Sequence, residues 1–525
     1  MGTQGLWNYL NKHGLCSAPP SVTGDTSIIT PDHLLLDMNG IVHGAIEGPH
    51  FLSMQTIQDV LLSVKRLLRL FPPKKTLVIV FDGAAPTAKL KLQKERRATM
   101  RAPQNALKPP SSATQLKYNY DYEGTPIRLF REEVVSGSEF LLACEDALRR
   151  ALMSSDGDDS DRLPGTFLGE YAVIISGCED AGEGELKISS MIRTLWIEQK
   201  RTETYTGDDV IVVVSNDSDL ALIGIACTPY RQYYMVDPVG YCVTAIAELF
   251  EHWRKGAANG LLPLEFLPSY RIDFVFLMLL SGGDWYQGVA GRSIFLWRRY
   301  RELRLNGGYF RRSIIRGEDF NVDVEFLRSV MSVKDSIHHK VRQSKIKQAT
   351  IRGDSSLSKQ SVETGVDLLK GAMWAMKSIV LGHCFDYEFR VSTICPTLGM
   401  LRAASFVKGV EKRIRPESKA PLPLLSPLEQ CVAVMGMRGR YSEEILRALT
   451  TVCPDGGKKL TNSQSVPYLL SQVRLLMATV DRDKLTAAER ELLKVQHADV
   501  FGKGGVLQDA VTFMSYAYSS PSCDW

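Results

Sequence analysis

Three features of the 525-residue sequence predict an α/β fold built on a parallel sheet. Between about residues 30 and 290, five short runs are almost continuously apolar: HLLLDM (33–38), TLVIVF (76–81), YAVIIS (171–176), VIVVVS (210–215) and QYYMV (232–236). Stretches suited to helices separate or follow them, near 55–70, 87–101, 137–153, 184–200 and 244–254. Acidic residues then cluster at or just past the ends of the runs. Strands without polar alternation are covered on both faces, and intervening helices supply the crossovers that parallel neighbours require. Sites in such sheets gather outside the carboxyl ends of the strands.

The elements follow in order. The first run ends at Asp37 and the second at Asp82. The third hands over, through GCEDAGEGELKISSM (177–191), to a helix in which Ile188, Met191, Ile192 and Leu195 recur at helical spacing, with Glu183 and Glu185 at the junction. Gly184, between them, is expected to let the backbone turn so that both carboxylates face one way. The fourth run is followed by Asp217 and Asp219 in VVVSNDSD, and an apolar segment at 273–280 by Asp284 in LLSGGDW. The loop SSDGDDSDRLPG (154–165) reads as a solvated connection, because turn chemistry explains its composition and its spacing is not that of an EF-hand. Beyond 290 the pattern turns helical, near 292–304, 324–347 and 364–382, with connections at 348–361 and 412–426. The expected organisation is an α/β domain at 1–290, a basic helical region at 291–440 and a helical extension at 441–525.

Bulk composition excludes several classes. A hydrophobic content of 44% and a charged content of 23% describe an ordinary globular chain, and a net charge of +4 does not by itself announce a nucleic-acid binder. Ten cysteines without a CxxC pair argue against a zinc site or a disulfide framework and for a reducing compartment. No apolar run reaches the roughly eighteen residues of a membrane span. The opening MGTQGLWNYLNKHGL has no signal-peptide core and no arginine, and Leu6 stands where myristoylation requires Ser or Thr. An intracellular location is expected, cytoplasmic or nuclear, with mitochondria left open.

One acid after a strand is commonly a helix cap or a turn residue. Seven behaving alike, Asp37, Asp82, Glu183, Glu185, Asp217, Asp219 and Asp284, call for another reason. Crowded carboxylates repel unless cations neutralise them. Oxygen-only donors favour Mg²⁺ or Mn²⁺, and two such ions suit phosphodiester hydrolysis. Directly after Asp82, the run DGAAPTAKLKLQKERRATMRA (82–102) puts Lys89, Gln93, Arg96 and Arg97 on one helical face, where a phosphate can be held. From 292 to 316, eight arginines and one glutamate interleave with Phe295, Trp297, Tyr300, Tyr309 and Phe310. That pattern fits a nucleic-acid track and an inward-packed amphipathic helix equally.

These motifs resemble the Xrn-type 5′→3′ exoribonucleases of the PIN/flap-nuclease superfamily. LDMNGIVH, FDGAAPTAKLKLQKERR, SGSEF, GEGELKI, NDSDLALIG and DFVFLMLLSGGD occur in that family's order and span about 2–290. LLKGAMWAMKSIVLGHCFDYEFRVSTICPTLGML (368–401) and LSPLEQCVAVM (425–435) are similar to the family's second region. The resemblance implies a PIN-like sheet and assigns the seven acids to two Mg²⁺ ions, for which Mn²⁺ substitutes. It also implies a 5′-monophosphate pocket at Lys89, Gln93, Arg96 and Arg97, and base stacking by His43 and Trp374. The residues alone leave His43 an undistinguished histidine and Trp374 a core residue of an amphipathic helix. The segment GGDWYQGVAGRS departs from the family's Phe-Leu-Pro character and leans toward the GSDY…G(I/V)xG element of flap endonucleases. The implied activity is processive 5′→3′ degradation of single-stranded RNA bearing a 5′-monophosphate; outside the resemblance, the C-terminal region 441–525 is open to docking protein partners or to capping the core. A structure-specific flap endonuclease and a catalytically silent RNA-binding scaffold are the alternatives.

Overall fold

A computed structural model describes residues 29–46, 53–90, 93–94, 119–120, 126–127, 134–153, 171–228, 230–255, 267–283, 285–289, 293–317, 320–332, 359–390, 396–417, 419–453 and 465–495. Its centre is a six-stranded sheet. The strands are β1 (His33–Asp37), β2 (Thr76–Val80), β5 (Ala172–Ser176), β6 (Val210–Val214), β7 (Gln232–Val236) and β8 (Val243–Ala245), in the order β5-β2-β1-β6-β7-β8. Two short antiparallel pairs lie outside it, β3 (Asn119–Tyr120) with β4 (Pro126–Ile127), and β9 (Ile315–Arg316) with β10 (Asn321–Val322). β5, β2, β1, β6 and β7 are parallel, and β8 runs antiparallel on β7.

The five apolar runs are thus strands of one parallel sheet. All five residues of β1 and of β2 are buried, as continuous apolar strands should be when both faces are covered. β5, at the edge, is half exposed. β8 escapes a reading of the sequence because its three residues, Val-Thr-Ala, are too few to show a period. The apolar segment at 273–280 belongs to the Leu267–Leu279 helix, which is buried nearly all round and therefore shows no polar face.

Register brings the carboxyl ends level. Asp37 pairs with Val80, Val80 with Ser176, and Leu36 with Val214. The chain runs from β1 outward through β2 and β5, then crosses back to place β6 on the other side of β1. That reversal is a topological switch point, where two crossovers diverge and leave a crevice.

Each face of the sheet carries its own core. Leu34, Leu36, Leu77 and Ile79 pack with the helices Met38–Ile46, Ser53–Leu70 and Glu139–Met153, and also with Pro427–Met435, Glu443–Val452 and Val466–Ala478. Leu35, Val78, Val80 and Val213 face Gly184–Arg201, Ser218–Cys227, Leu267–Leu279, Ser293–Asn306 and Lys359–Leu381. Packing therefore crosses the expected boundaries at 290 and 440.

The arginine-aromatic stretch packs inward in its middle. Trp297 stacks on Tyr300 (centroids 4.9 Å apart), and Tyr300 and Tyr309 both stack on Phe326. Arg304 is buried over the Tyr270 ring, 4.3 Å from its centroid, beside Asp273. Phe295 and Phe310 remain exposed. Among the described residues, no helix is long and apolar enough to cross a membrane.

Candidate active site

The site is assembled at the carboxyl ends of β1, β2, β5 and β6. Asp37, the last residue of β1, is buried and accepts hydrogen bonds from the Ser215 hydroxyl (2.7 Å) and the Asn39 backbone N–H (3.2 Å). Asp82, two residues past β2, accepts the Gly184 N–H on Oδ1 (2.6 Å) and the Asn39 side-chain amide on Oδ2. Asn39 thus touches both acids, and Ser215 ties the ends of β1 and β6 across the switch point.

Glu183 and Glu185 flank the start of the Gly184–Arg201 helix and are both buried. Glu183 stands at the N-cap with extended backbone, yet its side chain makes no cap bond. Its Oε2 instead accepts the Trp285 indole N–H at 2.6 Å, and its Oε1 lies against the Lys89 ammonium. Lys89 also pairs with Glu185 Oε1 at 3.3 Å. Lys89, expected at a phosphate pocket, is therefore the cation that two of the acids face. Asp217 does behave as a cap: it accepts the Asp219 N–H at 2.9 Å, while its own N–H donates to Ser215. Asp219 is buried in the first turn of the Ser218–Cys227 helix, beside Gly283.

The crowding is electrostatically strained. Burial, then the charge of Asp82, push Asp37 up to about 7; the Ser215 hydrogen bond works against this, and Glu185 and Asp217 add to it. Burial raises Glu183 well above the usual carboxylate range even though Lys89 pulls it down. A divalent cation would relieve this excess of negative charge. The donor set, carboxylate oxygen throughout, suits a hard ion such as Mg²⁺. Glu183 Oε1 is buried, with the Lys89 ammonium as its counter-charge. Among the described residues, no three His, Cys, Asp or Glu side chains are already arranged round one point as ligands. The chemistry of the donors fits the ion, and the ammonium of Lys89 holds the glutamates in this arrangement.

The remaining expected residues divide. His43 is half-buried on the Met38–Ile46 helix that follows Asp37, and Gln93 is half-buried one turn past Lys89. Lys94 beside it is buried, which lowers its ammonium to about 8. Arg96, Arg97 and Asp284 lie outside the described residues, as does the loop 154–165. Trp374 departs from its expected role. It is 1% exposed, stacked on Phe389 (4.8 Å, 9°) and edge-on to Trp285 (5.5 Å), with its N–H on the Asp386 carbonyl (3.1 Å). A ring packed in this way has no free face for a base, so the base-stacking expectation is corrected to a core role. The role expected of Gly184 is corrected too. The left-handed residue in this stretch is Gly182 (φ 105°), whereas Gly184 is an ordinary helical residue.

Several supporting residues went unforeseen. Lys187, buried, donates to the carbonyls of Phe81 and Gly177 (both 2.8 Å), joining the ends of β2 and β5. Ser136 donates to the Gly83 carbonyl at 2.5 Å. Gln430 forms a paired bond with the Ala85 backbone, accepting its N–H (2.9 Å) and donating to its carbonyl (2.7 Å). These side chains carry no chemistry of their own in a linear sequence. GEGELKI, SGSEF and LSPLEQCVAVM, noted as motifs, were the signals that contained them.

A mainly parallel sheet flanked by helices, with acids on neighbouring strand ends at its switch point beside a buried lysine, is an α/β fold of the PIN-like type. Residues 1–235 match the family described as XRN 5'-3' exonuclease N-terminus. The chain is 30% identical over 206 residues to 5'-3' exoribonuclease 2 of Arabidopsis thaliana, a match covering 37% of this chain and 19% of that protein. It is 30% identical over 221 residues to 5'-3' exoribonuclease 2 of Saccharomyces cerevisiae, with 37% and 19% covered. With the 5'-3' exoribonuclease 2 homolog of Caenorhabditis elegans it shares 26% identity over 208 residues, covering 37% and 20%. The matched region thus spans about a fifth of the length of these relatives.

Proposed function

We propose that this chain is a 5′→3′ exoribonuclease that shortens single-stranded RNA from a 5′-monophosphorylated end, releasing nucleoside monophosphates processively in a nuclear or cytoplasmic compartment. The observation that carries the reading is the meeting of Asp37, Asp82, Glu183 and Glu185 with the Lys89 ammonium at one end of the sheet. In this reading Asp37, Asp82, Glu183, Glu185, Asp217, Asp219 and Asp284 hold two Mg²⁺ ions. When bound, such ions activate water and neutralise charge on a scissile phosphate. Asn39 and Ser215 keep Asp37 and Asp82 oriented, and Lys187 keeps the ends of β2 and β5 together. Lys89, Gln93, Arg96 and Arg97 grip the terminal monophosphate by charge-assisted hydrogen bonds, and a cap or triphosphate is excluded by bulk. His43 stacks on the first base, a contact tolerant of sequence.

The test uses RNA with a 5′-monophosphate, a 5′-triphosphate or a 5′-hydroxyl, together with a circular RNA, in Mg²⁺. Only the monophosphorylated linear RNA should disappear quickly. Rapid loss of the circle would show an endonuclease, and equal rates on all linear ends would refute the phosphate pocket. Asp219→Ala should abolish cleavage while RNA binding persists; cleavage near the wild-type rate would remove Asp219 from the metal set.

A further inference from the structure

Trp285 belongs to GGDWYQGVAGRS, and its surroundings are tightly constrained. Gly282 is left-handed (φ 82°), and a Cβ there would lie 2.3 Å from the Gly288 nitrogen, so only glycine closes this turn. Gly283 N–H donates to the Tyr286 carbonyl (3.1 Å), Val289 N–H to Leu280 (2.9 Å), and the Tyr286 hydroxyl to Leu279 (2.8 Å). The Tyr286 ring lies over Gly371 of the Lys359–Leu381 helix, where a Cβ would come within 3.1 Å of it. Trp285 itself is 4% exposed and stands edge-on to Trp374, which the same helix supplies and Phe389 backs. The indole is thus carried on a turn of fixed shape and packed against Trp374 before it meets any acid.

A buried indole N–H needs an acceptor, and a neutral carbonyl would serve. Trp374 takes that solution, donating to Asp386 O. Trp285 instead donates to a carboxylate of the acidic cluster, Glu183 Oε2, at 2.6 Å. A neutral donor orients a carboxylate without discharging it. Lys89 does the opposite, because its ammonium compensates the charge. With Oε2 fixed by the indole, Oε1 is the oxygen turned toward the cluster, where it is buried against the Lys89 ammonium.

We infer that Trp285 is a positioning residue for a divalent cation: its N–H holds Glu183 Oε2 so that Oε1 is presented to the ion, and the Lys359–Leu381 helix holds Trp285 through Trp374 and Gly371. The inference rests on the metal reading proposed above. It ties the helical region to the acidic site through a hydrogen bond rather than through contact with RNA. Partners of metal ligands that fix ligand orientation generally change metal affinity by about 10- to 100-fold when removed.

The experiment follows binding of Mn²⁺ alone to the full chain, without RNA, by the electron paramagnetic resonance of free Mn²⁺. Trp285→Phe keeps an aromatic ring and deletes the N–H, and should bind Mn²⁺ at least about tenfold more weakly. In the wild-type chain labelled with 5-fluorotryptophan, the ¹⁹F resonance absent from W285F should move on addition of Mg²⁺; Trp285→Tyr supplies the assignment if W285F does not fold. Equal Mn²⁺ affinity in W285F and wild type overturns the inference alone, as does a Trp285 resonance that stays in place while Mg²⁺ binds. A wild-type chain that binds no Mn²⁺ overturns the inference and the metal reading together.

Discussion

Replacing Gly184 by alanine tests the site at its tightest point. The residue is helical, so alanine meets no backbone strain. The added Cβ would lie 3.1 Å from Asp82 Oδ1 and 3.3 Å from Asp37 Oδ1. Ordinary carbon–oxygen contacts begin near 3.4 Å, so each carboxylate must yield by a few tenths of an ångström. Neither moves freely, because Asp82 is held by the Gly184 N–H and Asn39, and Asp37 by Ser215 and Asn39. Alanine favours a helix over glycine by up to about 1 kcal/mol, less in a first turn. The expected result is a chain as stable as wild type or slightly more so, with a lower rate. If an error of about 1 Å costs about a hundredfold, a few tenths should cost a few-fold, roughly fourfold. Chemical denaturation measures the first quantity, and initial rates on 5′-monophosphorylated RNA the second. A G184A chain of normal stability and wild-type rate would refute the reasoning, because it would show that the acids relax around a methyl group without functional consequence.

Two further predictions concern the scaffold. Gln430→Ala leaves the Ala85 N–H and carbonyl without their partner in a buried place, at about 1–3 kcal/mol for each unsatisfied group, so stability should fall by roughly 2–6 kcal/mol. Activity should fall with it, since Ala85 lies three residues past Asp82; a loss of less than about 1 kcal/mol would mean that the paired bond is replaceable. His33, buried at the start of β1 on Asp209 (3.0 Å), is held below its usual 6.5 mainly by burial, which outweighs the Asp209 interaction. The unfolded chain therefore takes up the proton first as the pH falls below 6.5, and stability declines with acidification in that window. Subtracting the pH profile of His33→Gln from that of wild type should isolate this slope, and identical profiles would show that His33 does not contribute it.

Much of the architecture was legible along the chain. The runs 33–38, 76–81, 171–176 and 210–215 end one residue short or start one residue late as strands, and 232–236 is a strand throughout. The trimming at Ser215 has a visible cause: its hydroxyl turns to Asp37 and Asp217. The acids were legible because charge at the end of an apolar run breaks the pattern around it. Trp374 was legible only as far as its helix. Its spacing fits a core residue and a stacking residue equally, and the decision came from Phe389 and Trp285, which other parts of the chain deliver. The stretch 292–316 was divided in the same way, and Phe326 and Asp273 drew Tyr300 and Arg304 inward.

By itself the sequence determined which segments are strands and helices and which of them end in acid, because burial on both faces, helical spacing and charge are properties of neighbours along the chain. The tertiary structure alone decided who holds the acids. Ser215 reaches Asp37 because β6 returns beside β1, and Trp285 reaches Glu183 because a glycine turn and the Lys359–Leu381 helix carry it there. Gln430 meets Ala85 from 345 residues away, because the C-terminal helices share a core with the first strands. A hydrogen bond requires two groups to lie within about 3 Å of each other, and that distance is set by packing across the whole fold.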